Sequence, residues 1–255
     1  MSDADDPRLE IRRDGHLLVM RMVRGAKRNA IDRRMADALD AALSELDDDD
    51  SLWAGVLGGN EAIFSAGSDL RSGGDYFTER GGEYGIIRRD RQKPLVAAVE
   101  GAALGGGLEI VLSCDLVVAA RNARFGLPEV TIGVIPTCAG LFRAPSAMPL
   151  NLARELILTG EPIDAERAYA AGLVNRLVEP GAALDGAVEL AGRILQNAPI
   201  SVQSCLRPVN EWVGRANVLG WEVTDRAKAA IEGTEDQREG VMSFLEKRAP
   251  EWKAR

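Results

Sequence analysis

Residues 94–136 constrain this chain more than any other stretch. A β-rich apolar run, Leu95–Val99, leads to three consecutive glycines, Gly105, Gly106 and Gly107, and then to a segment with helical spacing that carries Glu109. A second apolar strand follows at Leu116–Ala120, and a second glutamate, Glu129, sits in the short turn Leu127-Pro128-Glu129-Val130. Strand, turn, helix and strand in this order predict an α/β core. Glycines in a strand-to-helix turn let a ligand approach the main chain, because no Cβ stands in the way. The N–H groups that open the next helix are unpaired and carry the positive end of its dipole. The stretch reads as a backbone-lined anion site with two carboxylates beside it.

Two nucleotide motifs are excluded. A dinucleotide-binding fingerprint needs a third glycine where Ile110 stands, and no Gly-Lys-Ser/Thr is present. A tight packing turn would account for the glycines alone. The second small-residue turn, Ser65–Ser68, argues for more, since two such turns can each aim one backbone N–H at a single oxygen and so build an oxyanion hole. Glu109 lies among Leu108, Ile110, Val111 and Leu112, and Glu129 between Pro128 and Val130. Carboxylates in apolar settings have raised pKa values suited to proton transfer. As a pair flanking an anion site they suggest general acid–base work on a substrate that develops an enolate.

Length and composition narrow the classes further. At 255 residues the chain can bury one large core or one core and a small appendage. Its formal charge of -8 argues against general nucleic-acid binding. Cys114, Cys138 and Cys205 form no close pair in sequence, which fits a reducing cytoplasm, and Cys138 reads as a small core residue. The acidic N-terminus predicts no leader peptide, and no apolar run reaches membrane-spanning length. The single histidine, His16, falls in a predicted hairpin turn, so mechanisms that need a histidine base or ligand are disfavoured.

In chain order, residues 8–23 read as a hairpin and Asp32 as the cap of a helix with Met35, Leu39, Leu43 and Leu46 on its buried face, ending near Leu46. Residues 71–92, with two glycine pairs and weak periodicity, read as a mobile surface cover with a short helix. Asp164 and Thr234 are helix caps, the latter in a capping box with Gln237. From Ala182 onward the pattern is helical, with breaks near Pro199 and Gly214. The division is an α/β core over residues 1–197 and a helical region over 198–255, whose Trp212, Val213, Val218, Leu219 and Trp221 supply apolar surface for a subunit contact. Lys27, Arg28, Arg71, Arg88 and Arg89 read singly as solvated charges, available to phosphates if the substrate carries them.

The ordered set Phe64–Leu70, Lys93–Gly101, Ala103–Glu109, Ser113-Cys114-Asp115, Phe125–Glu129, Gly133–Pro136, Leu158-Thr159-Gly160, Ala168–Val174 and Arg238–Arg248 resembles the enoyl-CoA hydratase/isomerase (crotonase) family over nearly the whole chain. The resemblance implies a spiral of ββα units with a helical C-terminal oligomerisation region, forming a homotrimer or hexamer. It implies an acyl-CoA substrate, no cofactor beyond the coenzyme A of that substrate, no nucleic-acid or membrane partner, and a cytoplasmic location. Glu109 and Glu129 match the hydratase glutamates, and Ser68 and Gly106 the two residues whose amides hold the thioester oxygen. Lys27, Arg28, Ala30, Ala66, Asp69, Leu70, Gly133, Phe244 and Lys247 are the implied substrate contacts, with Phe244 and Lys247 near the CoA nucleotide in a neighbouring subunit's pocket. Both glutamates favour water addition across a 2,3 double bond over the alternatives, a family isomerase or a silent CoA-binding scaffold. One departure stands out: Thr137-Cys138-Ala139-Gly140 replaces the usual glycine-rich turn, and Leu141–Pro149 is read as lacking the usual arginine-containing pattern.

Overall fold

Alternation along the strand Leu17–Met22 sends Leu18, Met20 and Met22 to one face and Leu17 and Val19 to the other, and both faces are buried. Such a strand belongs between two layers. In the computed structural model, which describes residues 7–74 and 76–255, it pairs antiparallel with Leu9–Asp14 and parallel with Ala54–Gly58. The N-terminal residues 1–6, and Asp75 of the 71–92 stretch, lie outside the described residues. The sheet continues in parallel through Leu95–Val99, Leu116–Ala120 and Arg176–Val178. A four-stranded sheet runs in the order Ile163–Asp164, Arg124–Gly126, Ala102–Leu104, Ile63–Ser65.

Three times in succession a strand of the first sheet is followed at once by a strand of the second. The pairs are Ala54–Gly58 with Ile63–Ser65, Leu95–Val99 with Ala102–Leu104, and Leu116–Ala120 with Arg124–Gly126. Each pair then enters a helix or a 3-10 turn, which makes the spiral of ββα units the sequence led us to expect. The corners are tight. Gly101 has φ +55°, and a Cβ there would strike the Ala62 carbonyl.

Helix α1, Arg33–Asp48, starts where Asp32 accepts the Met35 N–H at 2.8 Å and buries Met35, Leu39, Leu43 and Leu46. It runs past the expected end at Leu46. Asp47 and Asp48 remain helical because Arg89 and Arg80 pair with them at 3.0 and 2.6 Å, offsetting their repulsion with the helix C-terminus. Helix α2 (Gly106–Val111) bears Glu109. Helices α3 (Gly140–Ala147) and α4 (Leu150–Thr159) follow the second glutamate, and α5 (Ala165–Ala170) is capped by Asp164. Helix α6, Ala183–Leu195, covers the outer face of the large sheet with Ala183, Ala187 and Ala191, small side chains that let helix and sheet approach closely.

Two expectations need correction. The short helix expected within 71–92 is only the 3-10 turn Leu70–Ser72 at its start; residues 76–92 form a two-stranded ribbon, Phe77–Thr78 with Gly82–Glu83, and turns. Tyr84, Ile86 and Ile87 are buried in the main core, and the side chains of Arg89 and Arg91 are buried on Asp40, Asp47 and Asp115. Of the two glycine pairs, Gly73-Gly74 stands open, whereas Gly81-Gly82 is closely packed: a Cβ on Gly82 would lie 2.7 Å from Arg88 Cβ, and one on the nearby Gly85 2.7 Å from the Asp40 amide nitrogen of α1. The expected break at Gly214 is also absent. Helix α7 runs from Pro199 to Ile231 through Pro208 and Gly214, since a helical glycine costs only about 1 kcal/mol.

Trp221 anchors α7, meeting Phe142 edge-on with ring centroids 5.1 Å apart while the Arg88 guanidinium sits 3.6 Å over its ring. Trp212, Val213, Val218 and Leu219 stay exposed. Helix α8, Glu235–Glu246, begins at the expected Thr234 cap, and Gln237 returns its side chain to the Gly233 N–H at 2.8 Å. It packs on the turn Pro128–Ile132, where a Cβ on Gly133 would lie 2.5 Å from the Asp236 carbonyl.

Candidate active site

The second and third units of the spiral each deliver one glutamate. In the second unit, Ala102–Leu104 ends at Gly105, whose φ of +54° turns the chain into α2. The carboxyl of Glu109 is thereby carried inside the protein, 2% exposed. Its Oε1 accepts the N–H groups of Cys138 at 2.7 Å and Gly140 at 2.9 Å. Burial raises its pKa to about 7, against those two donors, which favour the anion. In the third unit, Arg124–Gly126 leads into the 3-10 turn Pro128–Ile132, whose first turn carries Glu129. Burial, and then the charge of Glu109, push Glu129 to about 8. Its Oε2 is buried with no hydrogen-bond partner, a polar atom aimed into the site. A Cβ on Gly105 would lie 3.1 Å from Glu129 Oε1, so the glycine turn runs directly past this carboxyl.

The first unit supplies the second small-residue turn. Gly67 has φ +87°, and a Cβ there would lie 2.7 Å from the Gly106 amide nitrogen. The Gly67-Ser68 turn and the start of α2 are therefore in van der Waals contact through backbone alone. A parallel bridge from Ile31 to Ser68 holds this turn, and Asp69 donates its N–H to Ile31 O at 2.9 Å. Within the described residues, neither the Ser68 nor the Gly106 N–H donates to a backbone carbonyl outside regular elements. Two amide-bearing turns, the buried carboxyl of Glu109 and the half-buried Glu129, both with pKa values above their ordinary range and Glu129 raised further by the charge of Glu109, form one site. It can hold an oxygen that becomes negative and move two protons beside it.

Comparison with known proteins fits this geometry. The model of the family described as enoyl-CoA hydratase/isomerase matches residues 12–255. The chain belongs to that family. A short-chain-enoyl-CoA hydratase of Clostridium acetobutylicum is 34% identical over 93% of this chain and 94% of its own. A carnitinyl-CoA dehydratase of Salmonella arizonae is 36% identical over 96% and 98%. The crystal structure of a carnitinyl-CoA hydratase from Mycobacterium avium superposes with a TM-score of 0.94 at 38% identity, covering 98% of this chain and 100% of that one.

The remaining residues that the family resemblance singled out fall into three groups. Lys27 and Arg28 are exposed in a 3-10 turn beside the half-buried Ala30, and the Arg28 carbonyl accepts the Ala66 N–H at 3.0 Å. This joins the cationic loop to the Ser65–Ser68 turn, with Leu70 exposed beyond it. Asp69 turns its carboxylate away to Arg24 at 2.8 Å and to the Arg71 N–H, so its side chain braces the loop. Gly133 packs against α8 of its own chain, as described above. Phe244, 55% exposed, and Lys247, in the left-handed conformation that ends α8, lie at the surface.

The structure also shows what the sequence reading passed over. The segment Leu141–Pro149 does contain an arginine: Arg143 is half-buried and donates to Ser113 Oγ and Ile87 O, with burial lowering its pKa to about 10. Cys138 is a buried core residue, as expected, but its amide supports Glu109. Tyr84 was missed altogether, although glycines at 81, 82 and 85 flanking a lone aromatic were the available signal.

Proposed function

We propose that this chain is a hydro-lyase that adds water across the 2,3 double bond of an enoyl-CoA thioester in acyl-CoA metabolism. The observation that carries this reading is the pair of carboxyls with pKa values of about 7 and 8 around one glycine turn. At neutral pH Glu129 mostly keeps its proton while about half of Glu109 is ionised, which supplies a base and an acid together. Ionised Glu109, held by two amides, takes a proton from water as the water oxygen bonds to C3. Protonated Glu129 gives its proton to C2, and the enolate oxygen that forms between these events is held by the Ser68 and Gly106 N–H groups. Exchange with solvent restores the two protonation states. Lys27 and Arg28, beside the Ser65–Ser68 turn, are suited to the CoA phosphates.

The coenzyme A carried by the substrate is the only cofactor this chemistry requires. The exposed Trp212, Val213, Val218 and Leu219 of α7 are proposed as subunit contacts of a homotrimer or hexamer, for which light scattering at micromolar protein should show three or six chains. A cytoplasmic location is part of the same proposal; among the described residues no helix is long and apolar enough to cross a membrane. The direct test is hydration of crotonyl-CoA, followed by loss of the conjugated thioester absorbance. No turnover by the purified protein, with CoA binding intact, would sink the hydratase reading in favour of a binding scaffold.

A further inference from the structure

Tyr84 has a backbone conformation that aromatic residues avoid. Its φ is +57°, a left-handed geometry that is strained for a non-glycine residue and persists only where the surroundings impose it. Here they do. The Tyr84 N–H donates to Tyr76 O at 2.9 Å, the following Gly85 is seated on α1, and Arg88 donates its N–H to Gly81 O at 2.9 Å. The side chain so delivered is 2% exposed, and its ring meets that of Tyr76 at 4.7 Å.

What this rigid segment presents is one hydroxyl among the parts of the site. Tyr84 Oη and Ser68 Oγ form a hydrogen bond at 2.7 Å. The ring edge lies on the Cα of Gly106, where an added Cβ would come within 2.7 Å of Tyr84 Cζ and closer still to the hydroxyl. The hydroxyl also interacts with the thiol of Cys138, whose N–H holds Glu109, and the neighbouring Tyr76 hydroxyl shares both the Cys138 and the Ser68 interactions. One side chain thus touches the residues of both oxyanion amides and the turn that supports the general base. None of these contacts is required by the core, since a phenylalanine would fill the same volume.

We propose that Tyr84 is a positioning residue for the hydration reaction, its hydroxyl setting the Ser68 turn against Gly106 and the Cys138 turn. This rests on the assignment of Ser68 and Gly106 as the oxyanion donors. A Tyr84 hydroxyl that fixes those two amides strengthens their grip on an enolate more than on a ground-state thioester, so its loss acts on kcat.

The test compares Tyr84→Phe, Ser68→Ala and the double variant in two measurements. The first is crotonyl-CoA hydration. Tyr84→Phe should lower kcat about tenfold or more with KM changed less than about threefold, and the double variant should be no worse than the poorer single one, because both remove the same bond. The second is the red shift of a chromophoric cinnamoyl-CoA on binding, which reports polarisation of its carbonyl by the two amides and needs no turnover. That shift should shrink in Tyr84→Phe at unchanged thermal stability, which a purely structural role would not produce. An unaltered red shift in Tyr84→Phe, or fully additive losses in the double variant, would overturn the proposal. A wild-type protein that shifts the probe but hydrates nothing would instead overturn the hydratase reading and leave the positioning role standing.

Discussion

Glu109 and Glu129 are the same side chain in two differently built surroundings, the first fully buried and the second half-buried with its Oε2 shielded from solvent. Glu109 projects from a true α-helix and accepts two backbone N–H groups from the turn before α3. Glu129 projects from a 3-10 turn that packs on α8; its Oε2 is buried without a partner, and its own N–H is the one backbone donor that favours its anion, against two for Glu109. Donors stabilise a carboxylate anion, so the group with two of them is the one better suited to be a base and the group with fewer to be an acid. The lesson is that burial raises both pKa values, while the two amides on Glu109 and the charge that Glu109 places on Glu129 set the two apart.

The largest effect expected from breaking this pair is on rate. Glu109→Gln and Glu129→Gln should each lower kcat for crotonyl-CoA by about two to four orders of magnitude, the usual worth of acid–base catalysis. Near-normal turnover in either variant would show that the two are not both required. A smaller effect isolates the support of Glu109. A Cβ on Gly140 would lie 2.9 Å from Glu109 Oε1 and 2.7 Å from Pro136 Cβ, so Gly140→Ala should displace the carboxylate and cost about 10- to 100-fold in kcat. Retained activity with an unchanged acid limb of the pH profile would mean that the two amides do not set the base.

The smallest effect is on stability, and its sign is opposite to intuition. Glu129 rises from 4.5 to about 8 on folding, so the native state keeps a proton that the unfolded chain gives up. Stability from this group is whole below pH 4.5 and is lost as pH rises through about 8. Glu129→Gln cannot ionise. It should melt several degrees above the wild type at pH 9, with the difference closing near pH 4, because each tenfold change in the acidity of a group on folding is worth about 1.4 kcal/mol. Melting curves at the two pH values decide it; equal differences at both would exclude a buried, raised carboxyl.

Much of this was legible in the chain itself. Asp32, Asp164 and Thr234 each cap the helix they were expected to cap, because a cap depends on side chain and backbone a few residues apart. The strands Leu95–Val99 and Leu116–Ala120 stand as read, since continuous apolar runs bounded by turns have few other uses. Both glutamates and both glycine turns announced themselves by local setting. Where local signals misled, the missing partner was distant in sequence. The glycines at 81, 82 and 85 look like flexibility until Arg88 is packed on Gly82, and Ala36 and Asp40 of α1 on Gly85. Asp47 and Asp48 look like a helix stop until Arg89 and Arg80 arrive from more than thirty residues away. The chain read alone supplied the caps and singled out the two carboxyls by short-range patterns, while the spiral of ββα units came from its resemblance to a family. That Glu109 receives the Cys138 and Gly140 amides, and that Tyr84 reaches Ser68, is visible only in the fold, because each depends on chain segments meeting across the core.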